Sequence, residues 1–335
     1  MNIGIIGSGL QCGRRIEALQ TSHADQIVLV VGNNPKSLET ISKKYNVRIS
    51  QTIDEIFSSV EIDAIIICTP PNSHYEYMRK ALLAGKNVLV EKPISKTSRE
   101  IEDLLAEFGD EVYLRIRCGF NHRFHPALQM AKKYISDKAI GDILFARSIY
   151  GIAARPRYTE EWRSNPEYAA GGQFIEQGSH QIDLLRWLIG PVRSIFCRIT
   201  NKIFENQPLD DGGMAILTFD HGVTAQIHTT LAQWHNKFEF EIYGTDGFIR
   251  ISGLGNTYGT ETFEFAKRED SAPFNSHTHQ FRGGDKSWSL EWDAFKNAVS
   301  GQATDVGTID DAYEVMRIAE AGYISNQTLS EVLID

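Results

Sequence analysis

The first 119 residues of this chain alternate short aliphatic runs with stretches of helical periodicity, and that alternation leaves few folds open. The runs are Ile3–Ile6, Ile27–Val31, Ala64–Cys68, Asn87–Val90 and Val112–Arg117; the helical stretches are Leu10–Gln20, Pro35–Tyr45, His74–Ala84 and Ser98–Phe108. A helix between successive strands returns each strand parallel to the last, which predicts an α/β domain built on a doubly wound parallel sheet. Thr97 and Glu100 have the spacing of a capping box, and Gly85 stands where a helix C-terminus takes a left-handed residue.

Beyond Phe120 the pattern changes. Met214–Phe219 and Val223–Thr229 flank Asp220-His221-Gly222, and Phe238–Tyr243 and Phe248–Ile251 flank Thr245-Asp246-Gly247. Strands joined by such turns predict an α+β domain with a large, mainly antiparallel sheet. One helix is expected over Gln173–Ile189, and two more over Trp288–Val299 and Asp310–Ser325. The predicted division is a dinucleotide-binding domain at 1–119 and a substrate-binding domain at 120–335.

Composition narrows the partners. A formal net charge of -9 and a pI near 5.6 give no footprint for nucleic acid or an anionic membrane. Met1 runs straight into Ile3–Ile6, without the charged start and apolar segment of a secretory signal, so a cytoplasmic protein is expected. The four cysteines, Cys12, Cys68, Cys118 and Cys197, form no CxxC pair, and no metal site is expected.

Ile3 to Gly13 places a strand, a glycine turn and a helix start in the order a dinucleotide site needs. Gly7 permits the tight turn, and Gly9 lets a pyrophosphate approach the backbone and the helix N-terminus beyond it. Cys12 replaces the third glycine of GxGxxG. After the second strand, where an acid would bind the adenosine ribose of NAD, the chain reads Gly32-Asn33-Asn34-Pro35-Lys36-Ser37. Asn33, Lys36 and Ser37 suit a 2'-phosphate, so NADP is expected, with NAD the alternative; Lys36 is equally readable as a solvated residue of the first helical turn.

Two strand ends reach the same rim: Thr69-Pro70-Pro71-Asn72-Ser73-His74 follows the third run and Glu91-Lys92-Pro93 the fourth. A lysine there can polarise a hydroxyl and stabilise the alkoxide that precedes hydride loss. On the helix Gln173–Ile189, Glu176, His180 and Asp183 at i, i+4 and i+7 share a face, either an acid/base stripe or a solvated surface.

These segments, with Gly119-Phe120-Asn121-His122-Arg123-Phe124, Glu161-Trp162-Arg163, Gly171-Gly172, Gly178 to Leu185 and Gly244 to Gly247, together resemble the glucose-fructose oxidoreductase and inositol dehydrogenase family, Gfo/Idh/MocA. The resemblance implies a Rossmann domain and an NADP- or NAD-dependent oxidoreductase acting on a sugar, polyol or nucleotide sugar. It implies that Lys92 belongs to the family's EKP motif and that His180 is the catalytic acid/base. Glu176 stands where many members have Asp. Cofactor contacts are implied for Gly7, Ser8, Gly9, Leu10, Gln11, Asn33, Lys36, Thr69, Pro70, Asn72, His74, Glu91, Lys92, Asn121, Trp162 and Arg163. Substrate contacts are expected from Lys92, Arg123, Arg163 and His180, with His122 beside them; Arg163 has a second reading as a pyrophosphate ligand. The resemblance also implies a homodimer or homotetramer through the antiparallel sheet. Two rival activities stay open: a redox-neutral glycosidase or lyase that oxidises and then re-reduces its substrate, and a non-catalytic cofactor sensor.

Overall fold

The computed structural model describes residues 1–21, 24–203, 208–269 and 275–334. In chain order the first elements are β1 Asn2–Ile6, α1 Leu10–Leu19, β2 Gln26–Val31, α2 Pro35–Tyr45, β3 Ile49–Ser50, α3 Asp54–Ser58, β4 Ala64–Ile67, α4 His74–Leu83, β5 Asn87–Glu91, α5 Ser98–Phe108, α6 Asp110–Arg115 and β6 Ile116–Gly119. The six strands form one parallel sheet in the order β3-β2-β1-β4-β5-β6. Strand order reverses between β1 and β4, the switch point outside which ligands bind in doubly wound sheets. Ile3, Ile5, Ile6, Ile65–Ile67 and Val88–Val90 are fully buried, as aliphatic strands covered by helices on both faces must be.

Local signals explain the helix limits. Asn34 caps α2 by accepting from Ser37 N at 3.2 Å, Pro35 takes the first helical position, and Lys43 and Lys44 face the C-terminal dipole. The Thr97–Glu100 capping box forms at α5, and Gly85 is left-handed. One expectation shifts: of Val112–Arg117 only the last two residues enter β6. Residues 110–115 form the short α6, which begins after left-handed Gly109 with Asp110 and Glu111 in its first turn, where carboxylates meet the helix dipole. Removing the α2 cap with Asn34→Ala is expected to lower unfolding free energy by about 1 kcal/mol in a urea titration, with the slope unchanged.

The chain continues through α7 Pro126–Ser136, β7 Ile143–Ala153, α8 Gln173–Glu176, α9 Gly178–Ile189, β8 Val192–Thr200, β9 Gly212–Phe219, β10 Thr224–Thr230, β11 Ala232–Gly244, β12 Gly247–Ser252, β13 Glu261–Lys267, β14 His277–Phe281, α10 Ser287–Val299, α11 Ile309–Thr328 and β15 Val332–Leu333. Nine of these strands form the second sheet, ordered β14-β13-β12-β11-β7-β10-β9-β8-β15, antiparallel except where β10 lies parallel to β7. Both expected hairpins form, Thr218 opposite Thr224 and Tyr243 opposite Phe248. Alternation sets its faces: Ala146, Leu217, Ile227, Phe238, Phe240 and Ile242 are buried, whereas Leu144, Met214 and Ile216 are about half exposed.

The chain divides into two compact units, Met1–Asn121 with Trp288–Tyr313, and His122–Ser287 with the residues from Glu314 on. The first unit thus takes in a C-terminal segment that a single cut at 119 leaves with the second. The reason is polar anchoring. Asp25, which precedes β2 and lies at its N-terminal end, accepts from Trp292 Nε1 at 2.8 Å and Lys296 Nζ at 2.9 Å, and Cys118 N donates to Gly307 O at 2.9 Å. Among the described residues no helix is long and apolar enough to cross a membrane.

Candidate active site

In the first unit, the loops after β1, β4 and β5 meet at the switch-point rim. Gly7 has φ +111°, and a Cβ there would lie 2.8 Å from Cys68 O, so only glycine lets the β1 loop pass the end of β4. A Cβ on Gly9 would meet nothing within 4 Å, which leaves open space before the first turn of α1. That turn carries no acidic residue, and Leu10 at its start is exposed. An uncapped helix N-terminus facing open space fits a pyrophosphate, since its N–H groups and dipole attract anions. The Ser8 hydroxyl stands over Gly32, where a Cβ would come within 3.1 Å of it. Asn33 and Lys36 are exposed at the start of α2, on the same rim as the β1 loop. Gln11 accepts from Arg14 NH1 at 3.2 Å.

Lys92 follows β5, half buried, and its peptide bond to Pro93 is cis. Two neighbours implied as cofactor contacts do other work. His74 is fully buried, with Nδ1 3.0 Å from Pro93 O and Nε2 2.7 Å from Thr69 O, so it ties the β4 loop to the Lys92 loop instead of facing the rim. Burial lowers its pKa. The Thr69 hydroxyl accepts from Ser73 Oγ at 2.7 Å, while Asn72 is exposed.

Glu91 is also turned inward. Arg15 Nε donates to Glu91 Oε1 at 2.7 Å, Arg15 NH1 to Glu291 Oε2 on α10 at 2.5 Å, and the Trp288 ring lies 4.6 Å from the guanidinium. All three charged side chains are at most 6% exposed. Burial opposes the Arg15 charge, but the carboxylates of Glu291 and Glu91 outweigh it and hold its pKa above the usual value. Sequence reading missed this cluster. Its signal was a lone arginine on the apolar face of α1, beside Cys12, Ile16 and Leu19.

In the second unit the expected single helix is broken. Gln173–Glu176 and Gly178–Ile189 are separate, with Gln177 at φ -103°, and so Glu176 and His180 do not share one continuous face. A distant residue causes the break: Asp210 accepts from Gly172 N at 3.1 Å, Phe174 N at 2.7 Å and Tyr323 OH at 2.7 Å, pinning the first turn on its own. Glu176 pairs with Arg163, Nε to Oε1 at 3.2 Å, and the Arg163 guanidinium lies 4.3 Å over the Trp162 ring. Arg163 is also 3.7 Å from Glu161.

Asp183 and Arg123 form a buried ion pair. Arg123 grips Asp183 through Nε at 2.9 Å and NH2 at 2.5 Å, with both side chains buried, so Asp183 belongs to an ion pair and not to a solvated stripe. Sequence separation of 60 residues hid the pair. Asn121, His122 and His180 are buried as well, and the rings of His122 and His180 stack with centroids 3.6 Å apart. Tyr150 OH lies 3.0 Å from His122 Nε2, and Tyr258, which accepts from Gln177 Nε2 at 3.2 Å, packs on Tyr150. Neither tyrosine was marked by any motif. Among the described residues no group of three His, Cys, Asp or Glu side chains is arranged to hold a metal ion.

Burial pushes the Asp210 carboxyl up to about 6 from 3.8, against its three hydrogen-bond donors. The folded state therefore keeps this proton to a higher pH than the unfolded chain, and the stabilisation present at low pH is lost as pH rises through about 6. Relative to Asp210→Asn, wild-type unfolding free energy should fall by roughly 2 kcal/mol between pH 4 and pH 6.5 in denaturant titrations.

Similarity to known proteins agrees with both halves of this description. Residues 1–111 match the model of an oxidoreductase family with an NAD-binding Rossmann fold, and residues 128–250 match the GFO/IDH/MocA C-terminal domain. Inositol 2-dehydrogenase of Rhizobium meliloti is 29% identical over 256 residues, 74% of each chain. D-xylose 1-dehydrogenase (NADP(+)) 2 of Haloferax volcanii is 22% identical over the full length of both chains. The solved structure of levoglucosan dehydrogenase in complex with NADH superposes with a TM-score of 0.90 at 23% identity, covering 100% of this chain and 99% of the other. With both of its domains matched, the chain belongs to the Gfo/Idh/MocA family of NAD(P)-dependent oxidoreductases.

Proposed function

We propose that the protein is an NAD(P)-dependent dehydrogenase or reductase acting on a CH–OH group of a sugar, polyol or nucleotide sugar, with Lys92 and His180 as its catalytic pair. The observation that carries this reading is the meeting of the Gly7–Gln11 loop, Thr69 to Asn72 and Lys92 at the β1/β4 switch-point rim. Relatives named for inositol and D-xylose support the substrate class.

The residues fit the cofactor: Gly7, Ser8, Gly9, Leu10 and Gln11 would hold the pyrophosphate, Thr69, Pro70, Asn72 and Asn121 would line the nicotinamide ribose and ring, and Trp162 with Arg163 would complete the contacts. Bound NADP or NAD supplies a hydride acceptor or donor at nicotinamide C4. His180 takes the hydroxyl proton as the carbinol is oxidised, imidazole being the side chain suited to accept a proton near neutral pH. Lys92 donates a hydrogen bond to the same oxygen and stabilises the alkoxide. Glu176 carries its carboxylate opposite Arg163 and orients the site without taking the proton. Turnover monitored by nicotinamide absorbance with NADP or NAD and a panel of sugars, inositols and nucleotide sugars tests the reading; no absorbance change on any member, with cofactor bound, would refute it.

NADP is the favoured cofactor because Asn33 and Lys36 are exposed at the ribose end of the rim and no carboxylate stands at the end of β2. Lys36→Glu should lower kcat/KM for NADP by about tenfold or more, the loss of one phosphate contact, and spare NAD. We further place the protein in the cytoplasm, where free thiols such as Cys12, Cys118 and Cys197 persist. A homodimer or homotetramer would cover the open sheet face, where exposed Phe196 and Ile216 are cross-strand neighbours and Met214 lies on the same strand as Ile216.

A further inference from the structure

We propose that His122 is a positioning residue for His180: stacked on it face to face, it restricts the two imidazoles to one shared proton and so keeps His180 available as a proton acceptor. The inference rests on the acid/base role assigned to His180 above and adds a residue to it.

The geometry is specific. His122 sits in the short turn Asn121–Phe124 that follows β6, and His180 lies in the first turn of α9. Their rings are 16° from parallel at a centroid separation of 3.6 Å, and the two residues are 6% and 5% exposed. At that distance a proton on one ring places a positive charge against the face of the other in a water-poor setting. The second protonation is then displaced to lower pH, and the pair titrates in two coupled steps.

Groups from several elements surround the stack. From β7, Tyr150 OH meets His122 Nε2 at 3.0 Å, and from β11 the Phe238 ring meets its edge. His125 packs edge-on against His122 and is itself held by Glu261 of β13 at 3.0 Å, with Asp285 4.0 Å from its other nitrogen. Further along α9, Asp183 is taken by Arg123, and from α8 Glu176 is paired with Arg163. Asp183, Glu176 and Glu261 each hold another cation or donor, and the coupling of the two imidazoles follows from the stack itself, where a charge on one ring lies against the face of the other. A packing role alone would accept any flat ring at 122. Only an imidazole also places a ring nitrogen, Nε2, 3.0 Å from Tyr150 OH.

The test is an NMR titration of the full chain with labelled histidine, with His180 assigned through His180→Ala. In the wild type the His122 and His180 signals should each show two linked steps. In His122→Phe, which keeps the stack and removes the competing proton site, His180 should titrate in one step, with its midpoint raised by about half a unit or more. An unchanged His180 curve overturns the proposal. Tyr150→Phe is the second variant and keeps the stack: loss of the hydroxyl changes how readily His122 takes the proton, so the His180 midpoint should move in the direction opposite to that of His122, and a His180 midpoint that stays fixed while His122 shifts contradicts the account. In turnover, the acid limb of kcat/KM should follow the same directions with KM for cofactor unchanged. The NMR readout does not depend on turnover. Failure of the dehydrogenase reading would appear as inactivity on every substrate, and failure of this inference as an uncoupled His180.

Discussion

Arg15→Met unfolds more easily than the wild type by about 3–5 kcal/mol, the cost expected when one partner of a buried ionic cluster is removed. The substitution nearly preserves side-chain volume, so cavity formation contributes little. What remains is a pair of buried carboxylates, Glu91 and Glu291, that have lost the cation between them. Their separate origins make the effect larger than a local one, since Glu291 comes from α10 and Glu91 closes β5 beside Lys92. The site of the arginine is also shaped for it: a Cβ at Gly119 would come within 2.7 Å of Arg15 NH2. Denaturant titration reads the loss. Arg15→Met combined with Glu91→Gln and Glu291→Gln should recover most of it, because neutral amides no longer need a buried cation. A single variant as stable as wild type would show that the cluster is solvated in solution.

This cluster also marks where sequence reading stops. Periodicity located α2 and α5 to the residue, because Pro35 and the Thr97–Glu100 box are local signals that act within one turn. The β1 loop was legible because its glycine pattern belongs to a local strand–turn–helix unit, although the atom that excludes a side chain at Gly7, Cys68 O, comes from the end of β4. The break at Gln177 was not legible, since the helical pattern runs through it and the cause, Asp210, is 36 residues from Phe174. Arg123 and Asp183 read as polar candidates until the fold brought them together out of solvent. Glu91 and His74 were flagged by their motifs, but a motif names residues without showing which way they face. Each miss has one physical origin: pairing between charged or polar groups far apart in the chain, which local periodicity does not encode.

Lys92→Ala and His180→Ala should each cut kcat by about 10²–10⁴-fold, the range for loss of a positioned proton-transfer or charge-stabilising group, while the protein still binds its nicotinamide cofactor. The two losses should differ in character. With His180 removed, the residual rate should rise with pH as solvent base replaces the imidazole. With Lys92 removed, KM for the substrate should rise as well, because its ammonium contacts the oxygen in the ground state and in the transition state. A double variant no slower than either single one would show that the two act as one unit. His180→Ala with full turnover would remove the acid/base assignment and the role of His122 with it.

The central claim is hydride transfer between a substrate carbinol carbon and the nicotinamide, and isotope transfer tests it most directly. Sugars and polyols deuterated at their carbinol carbons would be incubated with the protein and oxidised NADP or NAD, and the recovered cofactor analysed by mass spectrometry. The account predicts one deuterium per reduced cofactor, accumulating stoichiometrically with oxidised substrate and about 10²–10⁴-fold more slowly with His180→Ala. Substrate cleaved or rearranged with no labelled reduced cofactor accumulating would instead identify a redox-neutral reaction and contradict the dehydrogenase assignment.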